Sequence, residues 1–171
     1  MPGPTIDIVA TVMRRPTLVV MLLFLSPLFA LAQYGSDLHT VTVTVAQISQ
    51  LQVNGGALSL TIDGSGVAAG QDQMTTSDQT SSLGWGTNGG SMKITAETNV
   101  AAPLFALKLL AVNPTAGTAA AEITLSTLAS DLVLNVGQSL GSCELRYTGV
   151  ALASQGTGSD THTITFTIQT Q

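Results

Sequence analysis

Cysteine, aromatic and charged residues are all scarce in this 171-residue chain, which has one cysteine, 4% aromatic residues and 9% charged residues. Cys143 has no partner within the chain, so an intramolecular disulfide is excluded. It stands in Cys143-Glu144-Leu145-Arg146-Tyr147, which alternates in the manner of a strand. We therefore predict that Cys143 is buried beside Leu145 and Tyr147 as a small apolar residue, rather than serving as a thiol that bridges two chains.

Basic residues are the rarest charged residues. After position 32 three of them, Lys93, Lys108 and Arg146, stand against nine acidic residues, which leaves a net charge of −6. A chain with no basic cluster is a poor partner for nucleic acid or for an anionic membrane surface. Its solubility depends on Thr, Ser, Gln, Asn and Gly, a composition that favours an extracellular structural or adhesive protein over a cytosolic enzyme.

The chain begins with the pattern of a secretory signal peptide. Arg14 and Arg15 precede an apolar stretch at 16–31, and Ala30-Leu31-Ala32 is a small-x-small cleavage pattern. Ser26-Pro27 interrupts the apolar stretch, so a membrane-spanning helix is disfavoured and no integral membrane protein is expected after cleavage. We predict a signal peptide at 1–32 and one β-sandwich domain at 33–171. The product would be secreted or held at the cell surface, passing through a periplasm if the cell is Gram-negative.

The remainder of the chain shows the period-two alternation of strands, interrupted by Gly, Ser, Asn and Asp turns, and has no convincing amphipathic helix. This pattern predicts an all-β fold, a single antiparallel immunoglobulin-like or pilin-like sandwich of about eight or nine strands. The stretch 67–82 is polar and is predicted to be a long loop with at most a short edge strand. The predicted strands are 39–45, 48–53, 58–62, 91–97, 104–110, 122–126, 132–136, 143–151 and 161–170.

The first and last predicted strands have matching patterns. His39-Thr40-Val41-Thr42-Val43-Thr44-Val45 corresponds position by position to His162-Thr163-Ile164-Thr165-Phe166-Thr167-Ile168. In each, Thr occupies one face and apolar residues the other. The two strands could lie side by side within one subunit, or one of them could complete the sandwich of a neighbouring subunit. The candidate strand-pairing residues are Val41, Val43, Val45, Ile164, Phe166 and Ile168.

The residues offer no convincing catalytic or metal-binding constellation, so no catalytic residue, cofactor or metal ligand is assigned. His39 and His162, with Asp37 and Asp160 nearby in sequence, could form a weak metal site, but exposed strand ends explain them better. Loop acids in the 63–78 region, Asp63, Asp72 and Asp78, lack the spacing of a calcium loop, and a turn at Asp63-Gly64-Ser65-Gly66 is favoured over calcium binding.

Trp85 is the only tryptophan, and glycines flank it in Gly84-Trp85-Gly86. One interpretation is that its ring stacks on a sugar, as in an adhesin. The other is that it fills one end of the core, which we favour because aromatic residues are scarce here and each is needed for burial.

The order of these features resembles a class of secreted bacterial β-sandwich surface proteins, namely fimbrial subunits and spore-coat-U-like or WxL-like proteins. The features are the Thr/Val first strand, the strand ending at Asn54-Gly55-Gly56, Trp85 with Asn88 before Lys93-Ile94-Thr95-Ala96, and the final Thr-x-Thr-x-Thr strand. The resemblance is one of pattern over most of the chain after residue 32. Gly86-Thr87 departs from the WxL motif, and the disulfide of many pilins is impossible with Cys143 alone. The resemblance implies filament assembly or envelope attachment, and it implies no catalytic residue.

Together these observations predict a secreted, non-enzymatic structural or adhesive subunit of a bacterial surface fibre or coat, assembling by β-strand addition with itself or with other envelope proteins. The main alternative is a monomeric extracellular module that binds a glycan, with or without calcium, through Trp85 and the 67–82 loop. An envelope hydrolase with scattered catalytic residues is a third and weaker alternative.

Overall fold

Two antiparallel β-sheets form the fold, which is all-β, as predicted. The structure is a computed structural model that describes residues 37–64 and 67–171. All of its sheet structure lies in one compact unit, Thr44–Gln171, and residues 37–43 fall outside that unit. The predicted signal peptide lies outside the described residues.

Nine strands are present in the described part of the chain. A five-stranded sheet has the order β1-β2-β8-β4-β6, and a four-stranded sheet has the order β5-β7-β3-β9. No α-helix occurs among these residues. The strands are β1 (Ser49–Asn54), β2 (Gln73–Thr87), β3 (Met92–Thr98), β4 (Ala106–Val112), β5 (Thr118–Ala119), β6 (Ile123–Thr124), β7 (Ser130–Val136), β8 (Ser139–Leu152) and β9 (Ile164–Thr170).

The core lies between the two sheets because each sheet turns an alternating apolar face towards the other. The five-stranded sheet contributes Leu83, Leu109 and Leu145, and the four-stranded sheet contributes Ile94 and Val133, all fully buried. The predicted inward face of Cys143, Leu145 and Tyr147 is confirmed. This arrangement is consistent with a β-sandwich.

The prediction of a loop at 67–82 is wrong, because β2 begins at Gln73 and is the longest strand of the fold. The side chains in its first half are mostly polar, and they are exposed or half-buried. Its backbone is nevertheless paired with β8 throughout most of its length, with a register shift between Asp78 and Ser81. Backbone pairing needs no apolar side chains, so composition alone misidentified this strand.

The prediction of a strand at 58–62 is also wrong, since no strand is assigned there. Leu60 instead packs against the core from a loop. Its Cδ1 lies 3.6 Å from the point where a Cβ on Gly149 would stand, which places Leu60 against β8. Of this segment only Leu60 is packed against the core, while Leu58, Ser59 and Thr61 are exposed.

Candidate strand-addition site

Segment 39–45, predicted as the first strand, forms no strand in the described structure, so that prediction is wrong for the isolated chain. All of its residues are exposed, and the exposed fractions of Val41, Val43 and Val45 are 70%, 81% and 70%. A strand without a partner leaves its backbone groups unpaired, so it is not stable alone in water. The segment therefore carries the apolar alternation of a strand without the pairing that a strand requires.

The chain directly after this exposed segment is held by Asn88, which follows β2. Its Nδ2 donates to the backbone oxygen of Ala46 at 2.9 Å, and its Oδ1 accepts from the backbone N–H of Ile48 at 2.7 Å. The backbone N–H of Asn88 in turn donates to the oxygen of Ile48 at 3.2 Å. Asn88 thus holds the chain at 46–48, immediately before β1. No sequence motif predicts this role of Asn88, and the signal that could have found it is an amide side chain directly after a strand.

The other candidate element for strand addition is β9, where Ile164, Phe166 and Ile168 lie. This strand was predicted to begin at residue 161, and it begins at Ile164. It pairs with β3 alone, so it is an edge of the four-stranded sheet within the described residues. Its threonines are exposed, whereas its three apolar residues are half-buried and pack against the core. The predicted alternation of β9 is confirmed, but its inner face remains partly open.

The structure does not bring segment 39–45 and β9 together in one sheet. β9 has no strand partner other than β3, and the edge strand nearest to it across the sandwich is β1. The described structure therefore does not show the two Thr ladders paired within one subunit.

Trp85 lies within β2, and its side chain is 5% exposed. Its indole ring covers Gly141, the residue directly opposite it on β8. Its Nε1 has no hydrogen-bond partner among the described residues. The structure thus agrees with the core interpretation of Trp85, and the buried ring offers no face on which a sugar could stack.

His162 and Asp160 each have a hydrogen-bond partner within the sheet-bearing unit. His162 Nδ1 lies 3.0 Å from Thr98 Oγ1, and Asp160 accepts the backbone N–H of Phe105 at 2.8 Å. Among residues 37–64 and 67–171, no group of three or more His, Cys, Asp or Glu residues could hold a metal ion.

The acids proposed for calcium are separated in role. The Asp78 carboxylate accepts the backbone N–H of Thr80 at 2.8 Å and its hydroxyl at 2.7 Å, and these bonds lower the pKa of Asp78. Asp72 accepts the backbone N–H of Ser154 at 3.4 Å. Asp78 thus accepts a backbone N–H inside the register shift of β2, where Thr80 has no partner residue on β8.

A polar hollow of about 270 Å³ lies on the outer face of the five-stranded sheet. No aromatic residue contributes to it, although sugar sites usually place an aromatic ring under the ligand. It is lined by Thr75, Thr76, Ser77, Glu122, Arg146 and Thr148.

Comparisons with protein-family models, with curated proteins and with solved structures find no match to this chain. In the part of the chain that the structure describes, no helix has both the length and the apolar character needed to cross a membrane.

Proposed function

We propose that this chain is a secreted, non-enzymatic structural subunit of a bacterial surface fibre or coat, and that its immunoglobulin-like or pilin-like sandwich assembles by β-strand addition. Segment 39–45 of one subunit would act as the added strand. The observation that carries the proposal is that this alternating apolar segment is exposed and forms no strand, in a chain whose later described residues form two sheets.

The chemistry of the segment supports this role. Between Thr40 and Val45 there is no charged residue and no proline. Natural sheet edges and exposed strands are commonly protected against pairing by lysine or proline. Val41, Val43 and Val45 share one face when extended, so an added strand would direct three β-branched side chains into a neighbour's core while its backbone completes a ladder.

The signal-peptide pattern at 1–32 and the low charge after it support export and a surface location. Self-association through strand exchange needs no cofactor and no catalytic residue. Other envelope proteins with a matching open edge are the alternative partners. The glycan-binding alternative loses its main residue, because Trp85 is buried.

The test compares two variants of the full-length chain, each exported and purified from the producing cells. Val43→Asp places a carboxylate on the face that would enter the neighbouring core, and we expect assembly to weaken about 100-fold because an unpaired charge would be buried. Thr42→Asp adds the same charge on the opposite face and is expected to keep assembly. Light scattering after size exclusion and negative-stain microscopy provide the measurements.

Wild-type protein is expected to form a concentration-dependent series of oligomers or filaments. If wild-type protein stays monomeric as it is concentrated, the proposed function is wrong for this chain alone. If the two aspartate variants assemble equally well, the face of segment 39–45 does not matter and strand addition through it is wrong.

A further inference from the structure

The two sheets have four edges among the described residues, and they are not equally suited to receive a strand. β5 and β6 have two residues each, too few to pair with a seven-residue segment. β1 has six residues, but only Leu51 is half-buried and the others are exposed on both faces. β9 alone combines seven residues with a continuous inner row of three half-buried apolar side chains.

The backbone of β9 presents a usable set of hydrogen-bonding groups at its open edge. Gln171 donates its backbone N–H to Ser91 at 3.1 Å, and Asn99 donates its own to Thr163 at 3.1 Å. In both bonds an odd-numbered residue at an end of β9 is hydrogen-bonded to the residue opposite it. Because hydrogen-bonded and non-hydrogen-bonded pairs alternate along an antiparallel ladder, the odd-numbered residues of β9 bond to β3. The N–H and C=O groups of Ile164, Phe166 and Ile168 therefore point away from β3, towards the open edge.

The same three residues direct their side chains to the inner face. A strand that bonds to their backbone would therefore also add its own inner side chains to the core. A strand that pairs with them would shield the half-buried apolar row. No lysine, arginine or proline occurs in Ile164–Thr170 to discourage pairing.

We propose that the open edge of β9 receives segment 39–45 from a second copy of this chain, with Val43 opposite Phe166. This rests on the proposed function and names its acceptor. In that register Val41 and Val45 lie beside Ile168 and Ile164 if the strands are antiparallel, and beside Ile164 and Ile168 if they are parallel. Thr lies beside Thr on the outer face in both directions, whereas a slip of one residue would turn every threonine inward.

We infer a second copy as the partner because both segment 39–45 and the edge of β9 lack a partner strand in the described molecule. Among the described residues each subunit carries one exposed segment without a partner strand and one edge, that of β9, suited to receive it, and these two surfaces differ from each other. A contact between unlike surfaces is heterologous, so it repeats from copy to copy and extends into a fibre unless the rotation closes a ring.

Pairs of full-length variants test this acceptor, each with one added cysteine besides the buried Cys143. Exported Val43→Cys protein is mixed with Phe166→Cys protein under mild oxidation, and disulfide-linked dimers are separated and identified by mass spectrometry of their peptides. Val53→Cys, on the rival edge β1, is the control in place of Phe166→Cys. We expect the Val43–Phe166 link to exceed the Val43–Val53 link by about tenfold, since only facing strands bring the two sulfurs within bonding distance.

A second pair keeps the test valid if Phe166→Cys fails to fold. Val41→Cys mixed with Ile168→Cys is expected to link when the strands are antiparallel, and Val41→Cys mixed with Ile164→Cys when they are parallel. Either link supports the acceptor. Absence of both, in protein that still assembles, overturns it.

The remaining outcomes separate this inference from the proposed function. Preferential linking to Val53→Cys overturns β9 as the acceptor and leaves strand addition standing. A Val43→Cys/Phe166→Cys double variant that closes a disulfide within one chain, with no linked dimer, shows that the subunit completes its own sheet and overturns exchange between copies. Failure of the wild-type chain to assemble at all refutes the proposed function itself.

Discussion

Cys143 is a residue whose acid–base chemistry is changed by burial. It lies on the inner face of β8, 4% exposed, and burial raises the pKa of its thiol to about 11, against a smaller lowering by the hydrogen bond with the Leu83 backbone. Burial likewise raises the pKa of Tyr147 to about 12, with a further contribution from the nearby Cys143. Both groups are held in their neutral forms by the core, which makes Cys143 an inert structural thiol at neutral pH.

This environment predicts a loss of stability in alkali. The folded pKa of Cys143 exceeds its ordinary value of 9.0, so its contribution is fully present below pH 9 and is lost as the pH rises towards 11. The full difference corresponds to about 2 to 3 kcal/mol in the free energy of unfolding. Urea titrations at pH 8 and near pH 11 should show a smaller alkaline loss in Cys143→Ala than in the wild type. Equal losses in the two proteins would contradict the argument.

At the scale of the element, the fit between β2 and β8 depends on one position without a side chain. Trp85 lies flat over Gly141, its directly opposed neighbour, and a Cβ on Gly141 would collide with the indole ring. Because the ring is buried, it cannot move aside into solvent. The large aromatic side chain and the glycine therefore act as one packing unit across two strands.

We expect Gly141→Ala to reduce the free energy of unfolding by about 1 to 3 kcal/mol through overpacking. Gly84→Ala is the matched control on β2, since its Cβ would stand 3.9 Å from the Gln52 backbone oxygen, an ordinary contact. Urea unfolding followed by Trp85 fluorescence measures both variants. A Gly141→Ala protein as stable as Gly84→Ala would show that the ring is not confined as the structure places it.

The elements also show how far alternation predicts strands. The patterns at 91–97, 132–136 and 143–151 lie at β3, β7 and β8 because each has an apolar face that the core buries. Alternation alone failed at 39–45 and 58–62, where the strand pattern is present but no partner strand is available. It failed in the opposite sense at Gln73–Thr87, where the partner β8 is present and the apolar pattern is weak.

At the scale of the whole molecule, the charge distribution sets how copies approach one another. Neither Thr40–Val45 nor Ile164–Thr170 contains a charged residue, while each copy carries a net negative charge. The proposed contact is therefore formed by backbone hydrogen bonds and apolar burial, and the net negative charges of two copies repel each other.

Assembly should accordingly persist or strengthen as salt is raised from about 50 mM to about 500 mM, since screening reduces repulsion and removes no attractive ion pair from the contact. Light scattering at fixed protein concentration across this range measures the effect. Dissociation at high salt would indicate that ion pairs hold the copies together, and that outcome would contradict an uncharged strand contact.

The sequence by itself determined the all-β class, the inner face of Cys143, Leu145 and Tyr147, and the alternation of β9. Each of these follows from period-two patterning, which is a local property of a strand with one buried face. The tertiary structure decided which alternating segments are strands, because a strand exists only where a neighbour supplies the other half of its hydrogen bonds. For the same reason only the fold could show that Trp85 is covered by its own sheets, and that β9 is left with an open edge.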